Sequence, residues 1–367
     1  MLQLSRRLHG TVSTSNPKGL LAFAIVAVLG CSGDAKPTAP ASIELVEKFV
    51  VSADTADIDR PFRGAPLGTG YVFGRSTLSD LLVRTDSTGQ VVGFFGPKGT
   101  GPNELAYVGP MMPKGDSLMI MDFSGSRIAV VAPTGKIVRT ITMESLSGQY
   151  ALRLRGDSIL QVTTVGTEAG FGYPLHLSGP GGPIVRSFGT EDRTVDPANA
   201  AAKLRIPIAE TDSTFWVAHF SSYVLERWHI NGTMLQRLEP TREWFPSAEL
   251  NPATPEQIPQ RPSVVTAGML DDGRLAVVLF RPQADVKPFP AESLAHNASA
   301  ATPQRILGTK NMVLEILDPK TGALLGSRPI DRDVIRGSMP HGRLFGIRQF
   351  PDGSQHAVIW QIRFSNP

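Results

Sequence analysis

The chain is poor in the groups from which local catalytic and metal-binding motifs are made. Cys31 is the only cysteine in 367 residues, so the sequence after it holds no internal disulfide, cysteine nucleophile or thiolate metal site. Without disulfides the domain must be stabilised by a core, and at this length it can bury one. The seven histidines (His9, His176, His219, His229, His296, His341 and His356) show no HxxxH, HxH or HExxH spacing, which removes the usual local zinc motifs. Gly-x-Ser-x-Gly is absent, and with it the nucleophile-elbow signature. A charge of dominant sign is missing too. Of 36 basic residues against 33 acidic ones, three (Arg6, Arg7 and Lys18) precede Cys31, leaving 33 of each downstream. A formally neutral chain lacks the basic face that nucleic-acid binding needs, so no nucleic-acid partner is expected. The apolar stretch Leu20 to Leu29 is too short to span a bilayer as a helix and has the length of a signal-peptide core.

That stretch ends in Val28-Leu29-Gly30-Cys31. Aliphatic residues two and three places before a cysteine, with a small residue between, resemble the lipobox of bacterial lipoproteins. The resemblance implies that residues 1–30 are a signal peptide and that Cys31 is lipidated and anchors the protein to a membrane. Residues 31–42, with Ala, Pro and Ser prominent, then read as a flexible tether, and 43–367 as the folded domain. Ser32 stands where an aspartate would favour inner-membrane retention. The expected address is therefore the outer membrane, facing periplasm or surface.

The domain repeats itself. A turn glycine, a variable residue and two aliphatics recur as Gly89-Gln90-Val91-Val92, Gly135-Lys136-Ile137-Val138, Gly182-Pro183-Ile184-Val185, Gly232-Thr233-Met234-Leu235 and Gly322-Ala323-Leu324-Leu325. Each follows a short apolar run, giving a β-hairpin signature. The spacings between the glycines are 46, 47, 50 and 90 residues. A second unit, a tight polar turn feeding a strand, recurs at Gly115-Asp116, Gly156-Asp157, Asp212-Ser213 and Asp271-Asp272, with looser relatives at Gly68-Thr69 and His341-Gly342. Six strand starts stand against five hairpin turns. The missing outer strand is supplied if the strand-like run Ile43 to Val51 completes the last blade of a ring. The expected fold is all-β, a six-bladed β-propeller closed by its N-terminal strand, because closure removes exposed sheet edges.

Within this pattern, Phe95-Gly96-Pro97-Lys98-Gly99-Thr100-Gly101-Pro102-Asn103-Glu104-Leu105 resembles the glycine-rich segment, roughly G-R-x-G-x-G-P-G-E-[FY], of six-bladed β-propeller lipoproteins. These are relatives of the NHL-repeat proteins of bacterial envelopes. The sequence departs from that segment at Pro97, Asn103 and Leu105. Gly99, Gly101, Pro102 and Glu104 are read as a structural loop in which the Glu104 carboxylate accepts bonds from its own backbone. A phosphate cradle is disfavoured because Pro102 removes a donor and no Gly-Lys-Ser/Thr follows.

In a propeller the a-to-b and c-to-d connections emerge on one face, and the b-to-c and blade-to-blade connections on the other. The second set holds the long ones: Thr163 to Tyr173, Gly189 to Lys203, Pro240 to Pro262 and Arg281 to Asn311. Long connections cost ordering entropy and are uncommon unless functional or disordered. This face is the expected binding surface for a protein or glycan partner. Its candidates are Arg242 and Trp244 in Thr241-Arg242-Glu243-Trp244-Phe245-Pro246, a composition common at interaction hot spots, with Arg193, Arg261, Arg281 and His219. Trp244 either projects from the loop or folds back over the blade beneath it. Trp216, Trp228 and Trp360 read as sheet-packing residues. No catalytic residue and no cofactor is assigned. The alternative is a metal-dependent hydrolase or lyase of lactonase type with a divalent ion in the channel, for which Glu104, Asp122 and Glu191 are acidic candidates.

Overall fold

The computed structural model describes residues 42–52, 60–75, 79–143, 150–162, 172–189, 204–245, 262–282, 310–330, 333–335, 339–349 and 355–365. All of them lie in the unit Pro40–Pro367. The described residues form 24 strands in six four-stranded antiparallel sheets. The N-terminal strand is Ser42–Ser52 (β1). Blade one follows as Arg60–Leu67 (β2), Gly70–Gly74 (β3), Asp80–Thr85 (β4) and Val91–Pro97 (β5). Blade two comprises Met111–Lys114 (β6), Ser117–Asp122 (β7), Arg127–Val131 (β8) and Ile137–Thr142 (β9). Blade three is Tyr150–Arg153 (β10), Ile159–Val162 (β11), Leu175–Ser178 (β12) and Ile184–Phe188 (β13). In blade four the strands are Arg205–Ala209 (β14), Thr214–His219 (β15), Leu225–His229 (β16) and Met234–Leu238 (β17). Blade five holds Ser263–Met269 (β18), Leu275–Pro282 (β19), Lys310–Leu317 (β20) and Leu324–Ile330 (β21). Blade six has Asp333–Ile335 (β22), Arg343–Gln349 (β23) and Gln355–Ser365 (β24), and its fourth strand is β1.

β1 pairs with β24 from Ser42↔Ser365 to Ser52↔His356, so the two ends of the chain meet in one sheet. The ring is a six-bladed propeller closed by its N-terminal strand. Its core consists of six apolar clusters, one at each seam between neighbouring blades. The closing seam places Phe49 and Val51 of β1 with Tyr71, Phe73 and Val83 of blade one, and the Phe49 and Tyr71 rings lie 5.1 Å apart.

The repeated Gly-x-aliphatic-aliphatic unit has one local cause in all five places. The glycines take positive φ (Gly89 90°, Gly135 88°, Gly182 98°, Gly232 86°, Gly322 74°), a region open to glycine at little cost. Just beyond each, the pairing slips: Thr85 faces Val91 but Arg84 faces Gly93, and the same step recurs past Val138, Val185, Leu235 and Leu325. The second aliphatic of each unit is thus a bulged residue with no partner across the ladder. In four of the units it turns outward, and Val92, Val138, Val185 and Leu235 are exposed as a result, whereas Leu325 packs against the seam between blades five and six.

The topology fixes the two faces. Turns joining a to b and c to d are all short, the longest running from 336 to 342. The spans 98–110, 163–174, 189–204, 239–262 and 283–309 all join b to c or one blade to the next, and emerge on the opposite face.

Candidate functional site

Beyond β17 the chain crosses the seam between blades four and five, and the aromatic and arginine residues of 241–245 are used there. A turn closes with Phe245 N–H donating to the Arg242 carbonyl at 3.1 Å. Phe245 is fully buried and stacks on Tyr223, with centroids 5.5 Å apart and planes 16° apart. Trp244 is half-buried, lies 5.8 Å from Phe245 and packs against the seam cluster. The indole therefore folds back over the blades.

Arg242 reaches into β20. Its Nε donates to Glu315 Oε1 at 2.9 Å and its Nη2 to Oε2 at 2.7 Å, the two-point geometry that makes Arg–carboxylate pairs strong. Tyr223 Oη donates to the same Oε2 at 2.6 Å. Glu315 is 2 % exposed, and such a charge is tolerated only when paired and hydrogen-bonded. Burial, then the charge and hydrogen bond of Glu315, push the Tyr223 phenol well above its ordinary value, so it stays protonated and donating. The Glu315 hydrogen bond likewise raises the Arg242 guanidinium. Arg242 was a binding candidate by its place beside Trp244 and Phe245; in the structure Glu315 holds its guanidinium. Arg281, exposed at the end of β19, lies over the Trp244 ring at 5.6 Å from its centroid, a cation–π distance. Arg281, from the next blade, is thus brought to the segment that holds Arg242 and Trp244.

A second buried carboxylate lies nearby in blade four. His219 ends β15 and is 4 % exposed, which places it inside the protein rather than on a ligand surface. Its Nε2 is 3.3 Å from Glu226 Oε1, and Ser222 Oγ lies 3.4 Å from its Nδ1. Glu226 also accepts from Arg237 Nη1 at 2.6 Å and Trp228 Nε1 at 3.2 Å. Burial pushes the Glu226 pKa up, but His219, Arg205 and Trp228 outweigh it and hold the group below the usual carboxylate value.

The glycine-rich loop bonds to itself. Gly101 N–H donates to Glu104 Oε2 at 2.8 Å, and a Cβ at Gly99 would stand 2.0 Å from that oxygen, so only glycine admits the carboxylate there. Pro102 is exposed in the turn. Arg127 clamps the loop from blade two, donating to the carbonyls of Gly101 at 2.9 Å and Glu104 at 2.6 Å and to Asp122 Oδ2 at 3.1 Å. Asp122 accepts in addition from Ala106 and Tyr107 N–H at 3.1 and 3.0 Å. Both Glu104 and Asp122, acidic candidates under the metal reading, are engaged by the fold. Among the described residues no three His, Cys, Asp or Glu side chains stand together as a metal site. Arg193, Arg261, Glu191 and Cys31 lie outside the described residues.

Glu315 and Glu226 escaped the sequence reading. For Glu315 the signal was a lone acid inside the apolar run Met312-Val313-Leu314-Glu315-Ile316-Leu317, which calls for a buried cationic partner; Glu226, followed by Arg227 and His229 in its strand, carried no such signal.

No protein-family model matches the chain, and no curated protein matches it. Among solved structures, it is similar to a member of the DUF4221 family from Bacteroides vulgatus, with a TM-score of 0.61 at 12 % identity over 89 % of this chain and 99 % of that one. It is also similar to a presumed exported protein from Bacteroides fragilis, with a TM-score of 0.59 at 9 % identity over 91 % of this chain and 98 % of that one. What these share with the chain is the fold. Function has to be argued from the site itself. Among the described residues no helix is long and apolar enough to cross a membrane.

Proposed function

We propose that this chain is a lipid-anchored β-propeller of the bacterial cell envelope, of the NHL-like lipoprotein kind. In this reading it is a non-catalytic binding module that holds a protein or glycan partner on its long-connection face. The observation that carries the reading is the asymmetry of the connections: one face has only short turns, and every extended span leaves from the other. On that face Arg281 is exposed and seated on Trp244, and arginine with tryptophan is enriched where interfaces gain most of their energy. Trp244 is preorganised by Phe245 and the buried Arg242–Glu315 pair, which lowers the entropy lost when a partner docks. The anchor rests on Cys31 and the apolar run before it, and the outer membrane on Ser32.

The test is crosslinking in intact cells. A photo-crosslinking amino acid at position 281 is expected to give a discrete adduct, and one at position 88, in a turn of the opposite face, none. Equal labelling from both faces would remove the binding-face assignment. In the same cells Cys31→Ser protein should leave the membrane fraction; if it stays, the lipid anchor is wrong.

A further inference from the structure

A cleft of about 320 Å³ opens where the chain leaving β17 passes the β20–β21 turn, lined on one side by residues 239–242 and on the other by 321–324. Both walls are fixed by the fold. Gln236 Nε2 donates to the carbonyls of Pro319 and Lys320 at 3.1 and 2.8 Å, tying the turn to blade four. The turn is held internally by Gly322 N–H to the Asp318 carbonyl at 2.8 Å and Lys320 N–H to Asp318 Oδ1 at 2.7 Å. The opposite wall is held by Arg242 on Glu315.

The lining chemistry narrows the ligand by elimination. An anion finds no free charge, because Arg242 is committed to Glu315 and the Glu239 carboxylate stands at the rim. A metal ion finds one carboxylate, Glu239, already paired with Arg237 at 2.6 Å. A wholly apolar ligand finds the Thr241 hydroxyl, the Thr321 hydroxyl (which accepts from Ala323 N–H at 3.2 Å and keeps its own proton to donate), and little apolar wall beyond Ala323 and Leu324, the latter 44 % exposed. What remains is a neutral molecule with many hydroxyls and one apolar face. The volume is at the small end of the roughly 300–1,000 Å³ of small-molecule sites.

We propose that this cleft binds a neutral saccharide, with Thr241, Thr321 and Glu239 bonding its hydroxyls and Leu324 meeting its C–H face. One wall is the β20–β21 turn, which belongs to the short-turn face, so the cleft lies at the seam between blades four and five and the proposal adds a ligand site beyond the face reading above. Few apolar contacts limit the surplus left after the cost of association, so binding is sought at high ligand concentration.

The test is saturation-transfer NMR on the full chain with cellobiose, maltose and N,N′-diacetylchitobiose at millimolar concentration. At least one disaccharide should show transfer. Thr321→Trp, which fills the cleft, should reduce it about tenfold, corresponding to about 1.4 kcal/mol. Thr241→Val, which keeps the shape and removes one hydroxyl, should reduce it measurably. Should Thr321→Trp fail to fold, Thr241→Val decides alone. No transfer from any of the three to folded wild-type protein overturns the proposal, as does transfer that both variants leave unchanged. Failure here with the adduct from position 281 intact removes only the saccharide; a missing adduct with transfer intact removes the face and keeps the cleft.

Discussion

At the scale of single residues, the segment 241–245 on the long-connection side depends on charges buried beneath it. Glu315 is buried under Arg242 and Tyr223, and the pair holds the Trp244 segment to the seam between blades four and five. Breaking such a pair by removing one partner costs more than its net worth, because the other charge is left buried alone. Arg242→Ala is therefore expected to destabilise the protein by about 3–5 kcal/mol, read as a fall in the urea midpoint. Arg242→Met with Glu315→Leu should recover much of that, less the acceptor lost by Tyr223 Oη. A midpoint unchanged in Arg242→Ala would mean that the pair is idle. This residue-level pattern was only half legible in the sequence. Trp244 and Arg242 stood out by composition, but their partner Glu315 is 73 residues away, in a strand whose apolar neighbours gave no hint of which arginine it meets. For His219 the strand-end position left a packed and a rim placement open; the structure buries it beside Glu226 and Ser222.

Among the elements, β1 does the most for the fold. It runs the length of β24 and brings Phe49 and Val51 into the seam with blade one. Without it β24 becomes an unprotected edge and one of the six seams loses its apolar side. Deleting residues 42–52 should abolish cooperative thermal unfolding and expose surface that binds a hydrophobic dye. A deletion variant that melts like the parent would mean that closure contributes nothing. The strand was readable beforehand because the count of strand starts exceeded the count of hairpin turns by one. The repeated glycines were readable too, since a turn glycine before paired aliphatics is a local signal. That the second aliphatic is a bulge, exposed in four of the five units, was not readable, because register is set by both strands of a pair.

Among the described residues, six apolar seams close a ring whose a-to-b and c-to-d turns are short, while the long connections join b to c or blade to blade. The ring was legible because each blade is a local repeat. The site was less so, because its parts come from different blades and meet only through closure. The central claim is that the long-connection face binds without a catalytic metal, and the most direct measurement is elemental analysis of the purified protein after gentle dialysis. Divalent metal well below stoichiometric is the expected result. About one tightly held ion per chain, enough to supply a Lewis acid or an activated water, would contradict the claim and move the channel hydrolase ahead of the binding module.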